Sequence, residues 1–438
     1  MKGLNVINSR IYFKTFGCKV NISETEAMAA LAIASGYSVT DMYMDADIIV
    51  INSCTVTANS DRKVLSFLRR MRRDVPFSYT ILCGCLPQAY HVDYTYDADI
   101  VLGNTNKFRY LEYIKKLKAL NKPLKPAKAI IDIDPHSTDA VLPFTAIPKL
   151  FFHTRAFIKI QDGCNRYCSY CIVPYARGSI RSLPLEDIHQ QALLLAEQGY
   201  KEIVLTGINL ASYGETTNSS LVDAVQAADV KGIERIRLSS LEPDLMTDGI
   251  LHGLKEQPKL SSHFHLSLQS GSNRVLTEMN RRYTVEGFMK VVEVIKQSFI
   301  NPTFTTDIMV GFPTEDENDL IMTEELIKAV SFLKCHVFSY SPRKGTQAAL
   351  LKQLPEAVKK ERVTQILAVA DNTRLEILKG YIGKTVEIIV EGRNKQFGYE
   401  GYSDNYIPVV VYEQLTTGSL ENVTIDSLEG DRLRAKSV

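Results

Sequence analysis

The chain has 438 residues, enough for two to four domains, and its 45% hydrophobic and 23% charged residues are typical of soluble globular proteins, which excludes wholesale disorder. Lys and Arg number 51 and Asp and Glu 50, so the net charge of +1 excludes a strongly basic chain but allows a local basic face for nucleic acid. No apolar run reaches the ~20 residues of a membrane span and residues 1–10 lack the apolar core of a signal peptide, so we expect a cytoplasmic protein with no membrane partner.

Strands and helices alternate through residues 1–125. Short β-branched and aromatic runs predict strands over Arg10–Phe16, Asp47–Ser53, Tyr79–Cys83 and Asp99–Gly103. Apolar residues at helical spacing predict helices over Ile22–Ser35, Asn59–Arg73 and Lys107–Leu117. This alternation predicts an α/β domain built on a doubly wound parallel sheet.

Residues 126–150 are rich in proline, so we interpret them as a linker, and the alternation then resumes over residues 151–379. Strands are predicted over Ala156–Ile160, Glu202–Leu205, Arg235–Leu238, Phe264–Leu268, Thr303–Val310 and Cys335–Tyr340. Helices are predicted over Leu185–Gln198, Leu221–Val230, Val285–Gln297, Glu315–Val330 and Pro355–Leu378. Six such units predict a partial parallel (βα)6 barrel.

Residues 380–438 change class again. Short alternating runs such as T-V-E-I-I-V and Y-I-P-V-V-V-Y, separated by Gly and Asn turns, predict a small all-β barrel. This segment carries six basic and nine acidic side chains, a net charge of −3. If it binds RNA, we expect a local patch or base stacking by Phe397, Tyr399, Tyr402 and Tyr406.

Three of the eight cysteines, Cys164, Cys168 and Cys171, form a C-x3-C-x2-C loop after the first predicted barrel strand. In a reducing cytosol such cysteines more often bind metal than form disulfides. Three thiolates are one short of the four ligands of a structural zinc or a saturated iron–sulfur cube, so the loop predicts a cluster with one open iron. The alternative is a zinc site, which would need a fourth ligand from outside the loop.

A second group of cysteines is spread along the chain. Cys18, Cys54 and Cys85 each follow a predicted strand of the N-terminal sheet. Because the carboxyl ends of parallel strands meet at one edge, the three thiols can converge on a second cluster. The alternative is three unrelated small core residues, which is the interpretation we favour for Cys83 and Cys335.

The C-x3-C-x2-C loop, with Tyr170 before its last cysteine, resembles that of the radical S-adenosylmethionine (SAM) superfamily. The resemblance implies that the three thiolates hold a [4Fe-4S] cluster whose open iron binds the amino and carboxylate groups of SAM. It also implies that the reduced cluster cleaves SAM to a 5′-deoxyadenosyl radical. Such chemistry belongs to the cofactor, and the protein orients it and excludes water.

The segments T-F-G-C-K-V-N, I-N-S-C-T-V-T and C-G-C-L-P-Q resemble three motifs of the methylthiotransferase family. The resemblance implies an auxiliary [4Fe-4S] cluster held by Cys18, Cys54 and Cys85, so that the cofactors are two clusters and SAM. It also implies that the C-terminal barrel is similar to the TRAM RNA-binding module. One SAM would methylate sulfur held at the auxiliary cluster, and a second would yield the radical that removes hydrogen from carbon 2 of a modified adenosine.

Polar groups at the carboxyl ends of barrel strands are expected to line an active site. From this placement and the resemblance we predict SAM contacts at Gly207, Glu242, Ser267 and Gln269, and at Arg177 just past the cluster loop. A glycine at position 207 would let the backbone approach the methionyl amine. The alternative for each residue is a turn or a helix cap.

The family has three branches, which act on tRNA bearing threonylcarbamoyladenosine, tRNA bearing isopentenyladenosine, or an aspartate of a ribosomal protein. Lys19-Val20 after the first auxiliary cysteine and the later S-S-L-E-P and H-V-F-S-Y-S-P-R-K-G-T segments resemble the first branch, whereas the isopentenyl branch has Gln-Met after that cysteine. The resemblance implies methylthiolation of threonylcarbamoyladenosine at position 37, next to the anticodon. For the substrate carboxylate we predict a cationic partner in Arg343 first, then Lys344 or Lys19, although ordinary surface charges are the alternative.

Clustered basic residues favour an RNA partner. Residues 107–128 hold eight basic side chains against one acid, Glu112. One predicted helix carries Arg62, Lys63, Arg69, Arg70, Arg72 and Arg73. We therefore predict tRNA as a partner. We also predict an electron donor such as flavodoxin or ferredoxin, and a monomeric enzyme. The competing class is a non-catalytic iron–sulfur RNA-binding protein, against which the complete C-x3-C-x2-C loop argues.

Overall fold

The computed structural model describes residues 9–90, 97–119, 129–136, 139, 141–147, 154–394 and 398–438. The first strands are β1 (Arg10–Thr15), β2 (Ser38–Thr40), β3 (Ile48–Ser53), β4 (Tyr79–Gly84), β5 (Ile100–Leu102) and β6 (Ile130–Asp132). They form one parallel sheet in the order β2-β1-β3-β4-β5-β6. The helices between them are α1 (Lys19–Ala34), α2 (Ala58–Asp74), α3 (Cys85–Tyr90) and α4 (Tyr110–Ala119).

Both faces of this sheet are buried, which confirms the doubly wound arrangement. On β3, Ile48 and Val50 pack into a core with residues of α1 and α4, while Ile49 and Ile51 pack into a second core with residues of α2. Strand β6 was not predicted, because it lies in the proline-rich segment interpreted as a linker. Its parallel pairing with β5 shows that this segment begins as an edge strand of the sheet.

The central strands are β7 (Ala156–Lys159), β8 (Gln161–Asp162), β9 (Arg181–Ser182), β10 (Glu202–Thr206), β11 (Arg235–Leu238), β12 (Ser240–Leu241), β13 (His263–Leu266), β14 (Thr303–Val310) and β15 (Lys334–Ser339). The helices are α5 (Val173–Arg177), α6 (Leu185–Glu197), α7 (Leu221–Ala228), α8 (Asp248–Lys255), α9 (Asn273–Glu278), α10 (Val285–Ser298), α11 (Glu317–Val330) and α12 (Glu356–Lys379). No helix over the described residues is long and apolar enough to cross a membrane.

Parallel strands of this region form two linked sheets, β11-β10-β7 and β12-β13-β14-β15. Only Ser239 separates β11 from β12, so the two sheets follow one another as the predicted partial barrel. Helix α1 of the first domain packs beside β7, the edge strand, where Ser23 Oγ donates to Phe157 O at 3.0 Å. This contact places the auxiliary cysteines next to the open side of the barrel.

The C-terminal strands β16 (Thr385–Asn394), β17 (Gly398–Ser403), β18 (Pro408–Val411), β19 (Leu420–Glu429) and β20 (Arg432–Ser437) close into a five-stranded barrel. This confirms the predicted small all-β barrel. Its core is aliphatic and includes Ile388, Val409 and Val423.

This small barrel docks on the amino ends of the central strands. Arg237 donates to Asp404 O at 2.8 Å, and His263 stacks on Tyr406 with ring centroids 4.5 Å apart. Tyr402 stacks on Tyr406 in turn, at 4.6 Å. Two of the tyrosines predicted to stack on bases are therefore engaged at a domain interface, and Phe397 lies outside the described residues.

Candidate active site

The C-x3-C-x2-C loop lies between β8 and α5, beyond the carboxyl end of β7. Cys164 N–H donates to Gly178 O (3.0 Å) and Cys171 N–H to Cys168 O (2.9 Å), which folds the loop so that all three thiols line one cavity of about 220 Å³. Burial, together with the nearby Cys168, raises the pKa of Cys164 to about 11 and that of Cys171 to about 12. Forming the thiolates there therefore needs a bound cationic centre to offset the charge.

The same cavity contains buried polar atoms without partners. Among the described residues, neither amide atom of Asn209 nor Oε1 of Gln269 has a hydrogen bond. Gln269 also has a φ of 70°, a left-handed conformation that costs free energy for a residue other than glycine. Buried unpaired polar groups are costly, so these atoms indicate a polar ligand beside the three thiols. The donor set fits a cluster with SAM, which offers amino, carboxylate and hydroxyl groups.

The structure brings some of the predicted SAM residues to this cavity but not others. Glu242, Ser267 and Gln269 line it. Gly207 does not: its N–H donates to Ser239 Oγ at 3.3 Å, and the lining residues are the next two along the chain. Asn209 was missed although it lies only two residues after Gly207, because the position at a strand end gave no reason to prefer it over the glycine.

Arg281 is a further lining residue that the sequence did not reveal. Its Nη1 donates to Cys168 Sγ at 3.2 Å, and its Nη2 pairs with the Glu242 carboxylate. Burial raises the pKa of Glu242, although Arg281 opposes the shift. Arg281 follows α9 and not a barrel strand, so a placement rule based on strand ends could not find it.

The three auxiliary cysteines converge at the carboxyl edge of the first sheet. Cys18 precedes α1, Cys54 follows β3, and Cys85 begins α3. A Cβ at Gly17, where φ is 114°, would lie 2.6 Å from Cys54 Cβ, and one at Gly84, where φ is 101°, would lie 2.6 Å from the carbonyl oxygen before Cys54. Only glycine fits either position, because the cysteine-bearing loops pack directly on each other.

The electrostatics agree with this convergence. Burial, together with the neighbouring Cys85 and Cys18, raises the pKa of Cys54 to about 12. Cys83 points instead into the apolar core of the sheet, with its Sγ 3.5 Å from Ile51 O. Within the described part of the chain, no three His, Cys, Asp or Glu side chains are close enough to hold a single metal ion. A four-iron cube spreads its thiolates over separate irons.

Arg177 lies at the auxiliary thiols and not at the SAM cavity, which corrects the predicted SAM contact. Its side chain is only 2% exposed, and its guanidinium donates to Asn21 Oδ1, to Glu24 and to Asp162. The same side chain lowers the pKa of Cys18, although burial dominates and raises it overall. Arg177 therefore connects the central domain to the auxiliary site.

Of the three predicted partners for a substrate carboxylate, Arg343 is already paired. Its Nη2 donates to Asp61 at 2.5 Å and to Thr55 Oγ1 at 2.7 Å, and it is nearly fully buried. This corrects its first place in the prediction, because a guanidinium already paired with a carboxylate is poorly suited to bind another. Lys344 is exposed on the same loop. Lys19 points toward the interior of the barrel, where Arg155, Arg237, Glu202 and Asp307 act on its charge.

Two of the predicted basic residues are paired within the protein, and residues 120–128 of the second basic stretch lie outside the described residues. Lys107 is buried and pairs with Glu24, and Arg72 pairs with Asp99 at 2.8 Å. The exposed basic residues of α2 are Arg62, Lys63, Arg69, Arg70 and Arg73. A wide groove of about 990 Å³, lined by Arg62 and Lys360, shares Thr57, Tyr340 and Ser341 with the SAM cavity. Helix α2 thus places exposed basic side chains near the mouth of the cavity.

Comparison with known proteins agrees with these sites. Residues 158–327 match the radical SAM superfamily, and residues 10–103 match uncharacterized protein family UPF0004. The chain is 38% identical to threonylcarbamoyladenosine tRNA methylthiotransferase MtaB of Bacillus subtilis, over 91% of this chain and 90% of that protein. It is 34% identical to tRNA-2-methylthio-N(6)-dimethylallyladenosine synthase of Acetivibrio thermocellus, over 87% and 80%. The cobalamin- and cluster-bound radical SAM methyltransferase TsrM of Kitasatospora setae shares the fold at 13% identity, with a TM-score of 0.54 over 78% of this chain and 74% of that one.

The central domain, its cysteine loop and the cavity beside it thus define a radical SAM enzyme, with SAM and a [4Fe-4S] cluster as cofactors. The likeness extends through the auxiliary domain and nearly the full length of the named relatives. The chain belongs to the tRNA methylthiotransferase family, whose members carry two [4Fe-4S] clusters.

Proposed function

We propose that this enzyme attaches a methylthio group to carbon 2 of N6-threonylcarbamoyladenosine next to the anticodon of tRNA. Cys164, Cys168 and Cys171 would hold the SAM cluster, and Cys18, Cys54 and Cys85 the auxiliary cluster. When bound, the first cluster supplies radical cleavage of SAM, and the second holds the sulfur to be transferred. Asn209 and Gln269 would bind and orient SAM through the buried polar atoms that have no partner among the described residues.

The proposed substrate rests on the position and charge of Lys19. It follows the first auxiliary cysteine directly, and among the described residues it has no ion-pair partner. Burial, together with the positive charges of Arg155 and Arg237, lowers its pKa to about 8. Asp307, which also acts on Lys19, lines the SAM cavity. A carboxylate arriving between the two cysteine groups would therefore meet an unpaired ammonium in a positive environment.

The substrate RNA would approach along the groove that joins the cavity to α2. Arg62 and Lys63, near the beginning of this helix, are exposed and suited to phosphate contacts. Loop closure is not needed for access, because the groove and the cavity already share lining residues. An electron donor such as flavodoxin or ferredoxin, a monomeric state and a cytoplasmic location remain predictions.

The substrate is tested with tRNA purified from cells with and without threonylcarbamoylation. Methylthiolation, followed by mass spectrometry of the nucleosides, should occur on the modified tRNA and fall to background on the unmodified one. Robust turnover of isopentenyladenosine tRNA, or of the ribosomal protein, would overturn this substrate while leaving the methylthiotransferase family intact.

Lys19→Gln tests the carboxylate partner. Losing one charge-assisted hydrogen bond of ~1.5–3 kcal/mol should raise KM roughly 10- to 100-fold with kcat less affected. Lys344→Gln is the matched control on the exposed loop and should leave KM unchanged. A bound carboxylate raises the pKa of Lys19, so affinity is full below about pH 8 and falls as the pH rises past that value. A KM that is flat from about pH 7 to 9 would contradict this role.

A further inference from the structure

The two cysteine groups are joined by a short piece of chain. Helix α5 begins two residues after Cys171, a ligand candidate of the SAM cluster, and ends at Arg177. The carbonyl of Ala176 and the guanidinium of Arg177 both contact residues of the auxiliary site. Helix α5 therefore connects the loop of one cysteine group with residues that surround the other.

At the auxiliary site, Arg177 holds two of the three ligand-bearing loops through Asn21. The guanidinium donates to Asn21 Oδ1. The Asn21 amide in turn donates to Phe16 O at 2.7 Å, in the loop of Cys18, and to Ser53 O at 3.0 Å, the carbonyl directly before Cys54. One buried side chain of the central domain thus fixes the spacing of two loops of the first domain.

The third loop is held by Asn104. Its Nδ2 donates to Ala176 O at 2.6 Å and lies 3.6 Å from Cys85 Sγ. Its Oδ1 accepts from Lys107 Nζ at 2.9 Å, which fixes the orientation of the amide. The end of α5 therefore reaches all three cysteine loops.

Among the described residues, the charges around Arg177 do not balance. Glu24 and Asp162 are the two carboxylates of this buried group, against four cations: Lys107, Lys159, Arg177 and Arg181. Burial by itself would lower the pKa of Arg177, but Cys85, Glu24 and Asp162 raise it well above its ordinary value, so the guanidinium stays charged. Buried excess positive charge is costly unless an anion lies beside it. An anionic cluster on the three thiolates would supply that charge.

We propose that Arg177 is a positioning residue of the auxiliary cluster, which sets its distance from the SAM cluster and raises its reduction potential. Reduction adds a negative charge to the cluster, and a fixed neighbouring cation stabilises that state. This inference rests on the proposed assignment of Cys18, Cys54 and Cys85 as ligands. It concerns the potential and the placement of the cluster, not the tRNA that is modified.

The test uses the full chain with Cys164, Cys168 and Cys171 changed to Ala, so that only the auxiliary cluster is bound. After anaerobic reconstitution, the midpoint potential is measured by a redox titration followed by electron paramagnetic resonance. Arg177→Gln should make the potential more negative, while Arg177→Lys, which keeps the charge, should remain close to the parent. Arg181→Gln is the matched control, since it removes a charge of the same buried group, bonded to Asp162 and not to the cysteine loops.

Each outcome decides between alternatives. An unchanged potential in Arg177→Gln, or equal shifts in the Gln and Lys variants, would overturn the electrostatic role. If Arg177→Gln loses its iron, Arg177→Lys decides: a Lys variant that holds about four irons at the parent potential supports the role of the charge, and a shifted potential in that variant overturns it. A parent protein without about four irons per chain would instead refute the ligand assignment, which is part of the proposed function.

Discussion

The two cysteine groups differ in how the chain builds them. Cys164, Cys168 and Cys171 come from one loop, which backbone hydrogen bonds within the central domain fold. Cys18, Cys54 and Cys85 come from three strand ends, and residues of the central domain hold those ends in place. The first group depends on local structure and the second on domain docking. A disturbance of the domain interface should therefore damage the auxiliary site and spare the SAM site.

Replacing each group in turn should give the largest effect. The fully loaded enzyme should hold about eight irons, from two cubes of four. Changing Cys164, Cys168 and Cys171 to Ala should remove half of the iron and all SAM cleavage. Changing Cys18, Cys54 and Cys85 should remove the other half and abolish methylthiolation, while 5′-deoxyadenosine still forms. A total iron content that does not fall after either change would contradict the assignment. Zinc bound in place of iron would also contradict it.

Two cysteines of one motif sharpen the comparison within the auxiliary site. Cys85→Ala should abolish methylthiolation, because it removes a ligand from the converging group. Cys83→Ala should keep most of the activity and cost ~1 kcal/mol of stability, since this thiol lies in the core of the sheet. Both variants are assayed for methylthiolated product and for SAM cleavage. If their phenotypes were exchanged, Cys83 and not Cys85 would be the ligand.

Arg343 gives a smaller effect that tests the role of docking. Arg343→Met leaves Asp61 buried without its cation, which should destabilise the enzyme by ~3–5 kcal/mol. Because Thr55 and Asp61 lie just after Cys54, iron should be lost from the auxiliary site first, while SAM cleavage persists. The double variant with Asp61→Leu is the control and should recover most of the thermal stability. Equal loss of both clusters would show that docking does not distinguish the two sites.

The same difference explains what the sequence could predict. The loop spacing and the strand–helix alternation were sufficient for the fold and for the convergence of the cysteines, because both are properties of one segment or of parallel topology. Arg177 and Arg343 were predicted to bind SAM and substrate, yet both are paired with residues more than 150 positions away. Such partners are set by how domains pack, and one sequence carries no local signal for them. The edge strand β6 was missed because it has only three residues and lies in a proline-rich segment, whose composition predicts a linker.

The docking of the small barrel beneath the central strands has a consequence for synthesis of the chain. Arg237 is made 166 residues before Ser403, one of its carbonyl acceptors. At ~5–20 residues per second, roughly 10–30 s separate the two on the ribosome. During that interval the guanidinium and His263 face water where the finished enzyme has carbonyls and the ring of Tyr406. The amino ends of the central strands are thus covered only after the last sixty or so residues have been made and folded.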